Sequence, residues 1–363
     1  MKVVIYWPQI SGYMAACWRA LVAHPGIEVF VFARRSGGKD SAAFNDELMR
    51  GIPHVLVSGD GEVSDADVRR VFDEQKPDIV VINGWHTPAF VKIPFLPGAD
   101  RVRFIMAMDT PYLGTLRQRY GKYAFKAFFN RMDRVFVTGE RCWQLARVLG
   151  FKERTIRRGV YGIDQKLLSP LYERRLAQPG GWPKRFLYTG RYAEEKAIDV
   201  LMDGYTRYRR LVKDPWPLTC CGTGKFGELI RSTEGVTDRG FVQPTDLPDV
   251  LSEHGAFVLA SRFDPWPLVI VESCAAGLPI VCSEACGTRV ELVRFCWNGC
   301  TFATDDPDSL ADSLAWIQSR YDQLPAFGAR SRVMADPYSA EMWVERWTAT
   351  FKELTGVGRG AVG

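Results

Sequence analysis

The stretch SRFDPWPLVIVESCAAGLPIVCSEACGTRVELV, residues 261–293, decides how the rest of the chain is read. The apolar run before it, GAFVLA (255–260), has the character of a strand buried on both faces. A polar loop follows, holding Asp264 and then Trp266 between Pro265 and Pro267. A helix begins near Leu268 and continues to Ala276, with Glu272 in its opening turns, and PIVCS (279–283) is a second buried strand. Strand, loop, helix, strand is the repeating unit of a parallel sheet with crossover helices. The unpaired N–H groups at such a helix start, at the positive end of its dipole, suit a phosphate or diphosphate. Glu272 has the chemistry to accept hydrogen bonds from a sugar or ribose diol, and Asp264 from another polyol. An alternative has Asp264 capping the turn and Glu272 complementing the helix dipole. Both readings stand at this level.

Outward from this stretch the same alternation continues. RFLYTG (185–190) and LTCCG (218–222) are further strands, and Ala197–Val212, Leu247–Glu253 and Val269–Ala276 are helical candidates. An earlier series comprises VVIY (3–6), EVFVFA (28–33), DIVVIN (78–83), RFIMAM (103–108) and RVFVTG (134–139), with helical patterns at Met14–Ala23 and Asp65–Glu74. Between the two series, Pro, Gly and charge interrupt the periodicity of QKLLSPLYERRLAQPGGWPKR (165–185). With 363 residues, the chain has length for about two domains. The expected class is α/β, with two doubly wound Rossmann-like domains facing across a cleft. The expected bounds are 1–165, a linker at 166–184, a second domain at 185–335, and a tail at 336–363 whose helix, about Ala340–Leu354, crosses back to the first domain. Doubly wound sheets bind ligands beyond the carboxyl ends of their strands.

Composition removes several classes. With 47% hydrophobic and 25% charged residues, the chain is neither disordered nor collagen-like, and it is too long to need a disulfide scaffold. No apolar run approaches the roughly 20 residues of a membrane span. The start, MKVVIYWPQISGY, reads as a strand and not as a signal peptide, so a cytoplasmic protein is expected. Nine cysteines, an odd number, point to reduced thiols. Cys282, Cys286, Cys296 and Cys300 lack the spacing of common zinc ribbons or fingers and read better as small buried thiols. Asp65-Ala66-Asp67 opens a helix, where N-capping explains it better than metal binding. No metal or other cofactor is called for. The net charge of +5 is too small to imply a polyanion, and no nucleic-acid partner is expected. The charge is uneven, however: residues 101–158 hold 14 basic and 4 acidic side chains.

With these residues in view, the 261–293 stretch resembles the E-x7-E region of retaining GT-B glycosyltransferases, glycosyltransferase family 4. S-R-F-D-P-W-P-L-V-I-V-E-S-C-A-A-G-L-P-I-V falls in register with the family's S-x-x-E-P-F-G-L-V-x-x-E-A-x-A-x-G-x-P-V-V. In the family's order, TGRYAEEKAID (189–199) resembles G-R-x-x-x-x-K-G-x-D, LTCCGTGKF resembles L-x-x-x-G-x-G, RGFVQPTDLPDVLSEHGAFVLAS its G-F-V segment, and CGTRVELV its G-G-x-x-E-x-V. PDIVVINGWH, MDRVFVTGERCWQLARVLG and GVYGID resemble its acceptor-domain elements more loosely. The resemblance implies a metal-independent hexosyltransferase that moves a sugar from a nucleoside-diphosphate donor, UDP before GDP, to an acceptor hydroxyl with retention. It implies that Arg191 and Lys196 bind the donor diphosphate and offset leaving-group charge, and that Leu268 and Val269 offer backbone N–H groups to it. Glu272 then holds the ribose, Asp264 lies near the transferred sugar, Phe241 and Val242 line the base pocket, and Gly222 belongs to the glycine turn.

The departures are Asp264 for the usual Glu, Pro267 for Gly, and Ala197 for the Gly after Lys196. They keep open a catalytically silent nucleotide-sugar binding module, beside a GT-B epimerase or phosphorylase. Gly222, Gly224 and Gly227 with Asp238 also satisfy G-x-G-x-x-G, a weak dinucleotide signal without a clean following helix. On the acceptor side, Gly12 suits a tight turn near the donor, while His86 and Asp109 follow strands and are expected to face sugar or acceptor. For His86 a structural role fits as well. Finally, LRQRYGKYAFKAFFNRMDR (116–134) read as one helix aligns Phe125, Phe128, Phe129 and Met132, with six basic residues against Asp133. The aromatic stripe suits packing on the sheet. The basic face suits an anionic partner: a lipid-linked or cell-envelope saccharide, or peripheral contact with the inner face of a membrane.

Overall fold

A computed structural model describes residues 1–35, 44–58 and 62–356. The chain divides into two compact units, Met1–Ile163 with the segment from Tyr338 onward, and Asp164–Pro337. Residues 357–363 of the expected C-terminal segment lie outside the described residues.

The first unit is built on a parallel sheet. Its strands are β1 (Lys2–Trp7), β2 (Glu28–Arg34), β3 (His54–Val57), β4 (Ile79–Asn83), β5 (Arg103–Met108), β6 (Arg134–Val137) and β7 (Ile156–Arg158), in the order β3-β2-β1-β4-β5-β6-β7. Central strands such as Ile79–Asn83 are buried nearly throughout because helices cover both faces. The order reverses between β1 and β4, which places the segments after Trp7 and Asn83 at the switch point where such sheets bind ligands. The final helix, Ala340–Thr355, packs on this unit. Trp343 and Trp347 donate their indole N–H groups to the carbonyls of Val160 at 2.7 Å and Gly159 at 3.0 Å, and the Trp347 ring stacks on Phe136.

The second unit repeats the design with β8 (Phe186–Thr189), β9 (Leu218–Cys221), β10 (Val236–Asp238), β11 (Ala256–Leu259), β12 (Ile280–Ser283) and β13 (Gly299–Phe302), ordered β10-β9-β8-β11-β12-β13 and parallel. Here the reversal lies between β8 and β11. The loops after Thr189 and after Leu259 therefore meet, although 68 residues separate Lys196 from Asp264.

Residues 166–184, expected as a linker, carry the helices Gln165–Leu168 and Pro170–Leu176 and belong to the second unit. The reason is Arg175. Its fully buried guanidinium donates to the carbonyls of Leu251 (2.7 Å), His254 (2.8 Å), Ala276 (2.9 Å) and Gly277 (3.2 Å) and lies over the Trp182 ring. It thus satisfies the carbonyl ends of the Leu247–Ser252 and Leu268–Ala275 helices.

The basic 116–134 stretch is also not one helix. It breaks at Phe125 into Leu116–Ala124 and Lys126–Asn130. Phe128, Phe129 and Met132 are buried in the core. Arg131 and Arg134 leave the solvated face: Arg131 donates to the carbonyls of Pro94 and Ala99, and Arg134 pairs with Glu353 at 2.6 Å. By contrast, the Leu116–Ala124 helix has no buried residue and exposes Leu116, Tyr120 and Tyr123 beside Arg117 and Arg119. No helix among the described residues is long and apolar enough to cross a membrane.

Candidate active site

In the second unit the site begins with glycines that let two loops touch. A Cβ on Gly222 would lie 1.9 Å from the Gly190 carbonyl oxygen, so only glycine permits the turn after β9 to close on the turn after β8. Tyr192 extends this contact: its N–H donates to the Thr223 carbonyl at 2.8 Å and its hydroxyl to Asp238 at 2.8 Å. Asp238, the acid position of the dinucleotide reading, is thereby engaged by Tyr192 and by Arg231.

The turn then delivers two cations. Arg191 is exposed and pairs with Glu195 at 2.5 Å. Lys196 ends a short 3-10 turn, Glu194–Lys196, and pairs with Asp264. Ala197 follows in a left-handed conformation, φ 52° and ψ 49°. That geometry explains the glycine of the resembled motif, since Ala carries a Cβ penalty of about 1–2 kcal/mol there. The Lys196–Asp264 pair is nearly closed to solvent, with side-chain exposures of 17% and 9%. Burial raises the Asp264 carboxyl above its ordinary range, and the Lys196 ammonium pulls it back. Asp264 also accepts the Trp266 backbone N–H, so the turn-capping role and an ion-pair role coexist in one carboxylate.

Arg262 braces this arrangement and was not singled out by the sequence. Its guanidinium bonds Asp199 at 2.6 and 2.9 Å, Asp305 at 2.5 Å and the Glu194 carbonyl at 3.0 Å, while its backbone N–H reaches the Glu195 carbonyl at 2.8 Å. It therefore ties the Lys196 turn to the Asp264 loop. The only sequence signal was its place in SRFD, two residues before the acid.

The Leu268–Ala275 helix starts immediately after Pro267, with Leu268 buried and Val269 half-buried at its first turn. Glu272 lies beyond that first turn, which sets aside the dipole-complementing role. It is half-buried, and among the described residues its carboxylate has neither a hydrogen-bond nor an ion-pair partner. Burial alone pushes it up to about 7. An acceptor held without donors in a partly dry place is suited to a ligand that brings hydroxyls. Phe241 and Val242 are half-buried in the loop after Gly240.

In the first unit, Gly12 opens the Gly12–Val22 helix at the end of the loop after β1. Its N-cap, Ser11, makes no side-chain cap, and the Ser11 Oγ is buried without a hydrogen-bond partner. His86 is exposed and lies against the Trp85 ring, 5.2 Å between centroids. Asp109, after β5, accepts the Tyr161 hydroxyl at 2.8 Å, and Tyr161 packs edge-on against Trp7 and Tyr13. Burial, then Asp109, raises the Tyr161 hydroxyl well above its usual range. Asp65 and Asp67 lie in the first turn of the Asp65–Gln75 helix: Ser64 is the N-cap, bonded by the Asp67 N–H at 3.0 Å, and Asp65 pairs with Lys92. Among the described residues no group of three or more His, Cys, Asp or Glu side chains is placed to hold a metal ion. Of the four spaced cysteines, Cys282, Cys286 and Cys300 are buried and Cys296 is exposed.

Residues 183–319 match the family described as Glycosyl transferases group 1. Glycogen synthase of Mycobacterium tuberculosis is 29% identical over 222 residues, 58% of this chain and 50% of that protein. An uncharacterized glycosyltransferase of Haemophilus influenzae is 24% identical over 169 residues, 45% of this chain and 48% of that one. The chain thus spans about half the length of the curated relatives it matches. Among solved structures, sucrose-phosphate synthase from Thermosynechococcus elongatus superimposes with a TM-score of 0.76 at 16% identity, covering 98% of this chain and all of that one. Anabaena HepE in complex with UDP and glucose gives 0.73 at 14% identity, covering 97% and all of that chain. The fold is GT-B, two Rossmann-like units each on a parallel sheet.

Proposed function

We propose that the chain is a retaining glycosyltransferase of the family 4 type, which moves a hexose from a nucleoside-diphosphate sugar to an acceptor hydroxyl without a metal. The observation that carries this reading is Glu272, an unpartnered carboxylate on the helix that opens beside the Lys196–Asp264 pair. A ribose diol supplies the donors Glu272 lacks. The free N–H groups of Leu268 and Val269 face a diphosphate as the start of any helix does. Lys196 and Arg191 exchange their carboxylate partners for the diphosphate and stabilise the charge that grows on it as the glycosidic bond breaks. Asp264, released from Lys196, then accepts from a hydroxyl of the transferred sugar. Phe241 and Val242 line the base, and Gly222 and Gly12 keep backbone close to the donor. UDP is favoured over GDP, in keeping with HepE, whose structure was determined with UDP and glucose. Retention follows from a front-face course in which the leaving phosphate takes the acceptor proton.

On the acceptor side, His86 and Asp109 are the residues assigned to sugar or acceptor, Asp109 held by Tyr161. The exposed Leu116, Tyr120 and Tyr123 beside Arg117 and Arg119 suit docking on an anionic membrane surface, with a lipid-linked or cell-envelope saccharide as acceptor. The protein then works at the inner face of the membrane. The test is transfer from UDP-sugars by Lys196→Ala and Glu272→Ala variants that remain folded by circular dichroism. Loss of about 100-fold or more in turnover is expected from removing a transition-state contact of this kind. Near-normal turnover by both variants contradicts the assignment.

A further inference from the structure

A second cationic site lies in the first unit, among residues that take no part in the site above. Between the β6–β7 edge of the sheet and the final helix is a cavity of about 370 Å³, lined by Phe136, Arg157, Arg158, Arg346, Thr350 and Glu353. Arg134 stands beside it, bonded to the same Glu353. Four guanidinium groups thus gather around one sheet edge. Two carboxylates pair with them: Glu353 bridges Arg134 at 2.6 Å and Arg157 at 2.9 Å, and Glu140 holds Arg158 at 2.8 Å. Against these two acids Arg134, Arg157 and Arg158 leave one positive charge in excess, and Arg346 stands beside them.

The cluster is costly to keep without a ligand. Arg346 is drawn into the wall so closely that a Cβ on Gly159 would lie 2.6 Å from its Nε. Burial lowers the Arg346 guanidinium from its ordinary value. The Arg134 Nε is buried without a hydrogen-bond partner. Glu353 is pulled down, first by its bond from Arg134, and so stays ionised while shared between two arginines. Guanidinium forks match phosphate oxygens two at a time, and a phosphate monoester carries nearly two negative charges near neutral pH. The volume is within the range of small-molecule sites.

We infer that this arginine-lined cavity binds a phosphate monoester, borne by a small sugar or by a lipid headgroup, at a site separate from the proposed donor site. The phosphate bonds Arg157, Arg158 and Arg346 and balances the charge that Glu353 and Glu140 leave over. Because the cavity seats the final helix on the β6–β7 edge, occupancy also tightens that helix on the first unit.

The probes are glucose 6-phosphate in solution and vesicles containing phosphatidic acid, each tested on the full chain. Glucose 6-phosphate is expected to bind saturably by calorimetry and to raise the melting temperature. Arg157→Gln and Arg158→Gln should each weaken it about tenfold or more, while Lys196→Ala leaves it unchanged. The exposed Arg158 makes its variant safe for folding. Co-sedimentation with the vesicles that Arg157→Gln and Arg158→Gln abolish, without binding of glucose 6-phosphate, also supports the site and assigns the phosphate to a lipid. Binding that survives both arginine variants, binding that Lys196→Ala removes, or no binding of either probe at about 10 mM phosphate overturns the inference.

Discussion

Glu272 is a carboxylic acid held where ionisation is unfavourable. Its folded value of about 7 stands above the ordinary 4.5. Between these values the folded chain keeps a proton that the unfolded chain has lost. Raising pH through that window therefore removes stability, and above about 7 the loss is complete. Glu272→Gln lacks this penalty, so it should be more stable than the parent at pH 8 by about 1–3 kcal/mol and close to it at pH 4.5. Urea melts at the two pH values check this. A mutation that stabilises the free protein while harming its proposed activity is the mark of a binding group kept at the expense of the fold. Asp264 and Glu272 were legible from the sequence because their types and spacing are local. Their states were not. The partner of Asp264 arrives from 68 residues away, and the solitude of Glu272 depends on what the fold leaves out.

Elements show where sequence reading stops. Central strands announce themselves through unbroken apolar runs of four or more residues, as DIVVIN and RFIMAM do. The strands β3, β7, β10 and β13 carry no such run, because they lie at or next to sheet edges and are three or four residues long. Residues 166–184 read as a linker because Pro and Gly break their period, yet Arg175 anchors them through four carbonyls of other segments. Arg175→Ala leaves those buried acceptors without donors and opens a cavity. A cost of about 3–5 kcal/mol is expected, seen as an early loss of the second unit in denaturant melts followed by tryptophan fluorescence. The Leu116–Ala124 helix makes the opposite case. None of its residues is fully buried and both tyrosines are exposed, so Tyr120→Ser with Tyr123→Ser should change stability by less than about 0.5 kcal/mol. The same pair should reduce co-sedimentation with anionic vesicles at low salt, where membrane docking depends on exposed apolar and basic groups together. Undiminished sedimentation would point to a soluble acceptor instead.

At the scale of the whole molecule, one topological rule accounts for the candidate site. The strand order of the second sheet reverses between β8 and β11, and the loops leaving those strands carry Lys196 and Asp264. In the first sheet the reversal between β1 and β4 likewise sets the loop before Gly12 and the loop holding His86 at the switch point. The alternating pattern made both doubly wound sheets legible in advance. Arg262 and Tyr161 were not, because each acts through partners that only the folded chain brings near. The central claim, that Glu272 receives the ribose of a nucleoside-diphosphate donor, is tested most directly by calorimetric titration of UDP into the full chain and its Glu272→Gln variant at pH 8. A hydrogen bond between a diol and a charged carboxylate is worth about 1.5–3 kcal/mol, so the variant should bind UDP at least tenfold more weakly. Equal affinity for UDP in the two proteins would contradict the account.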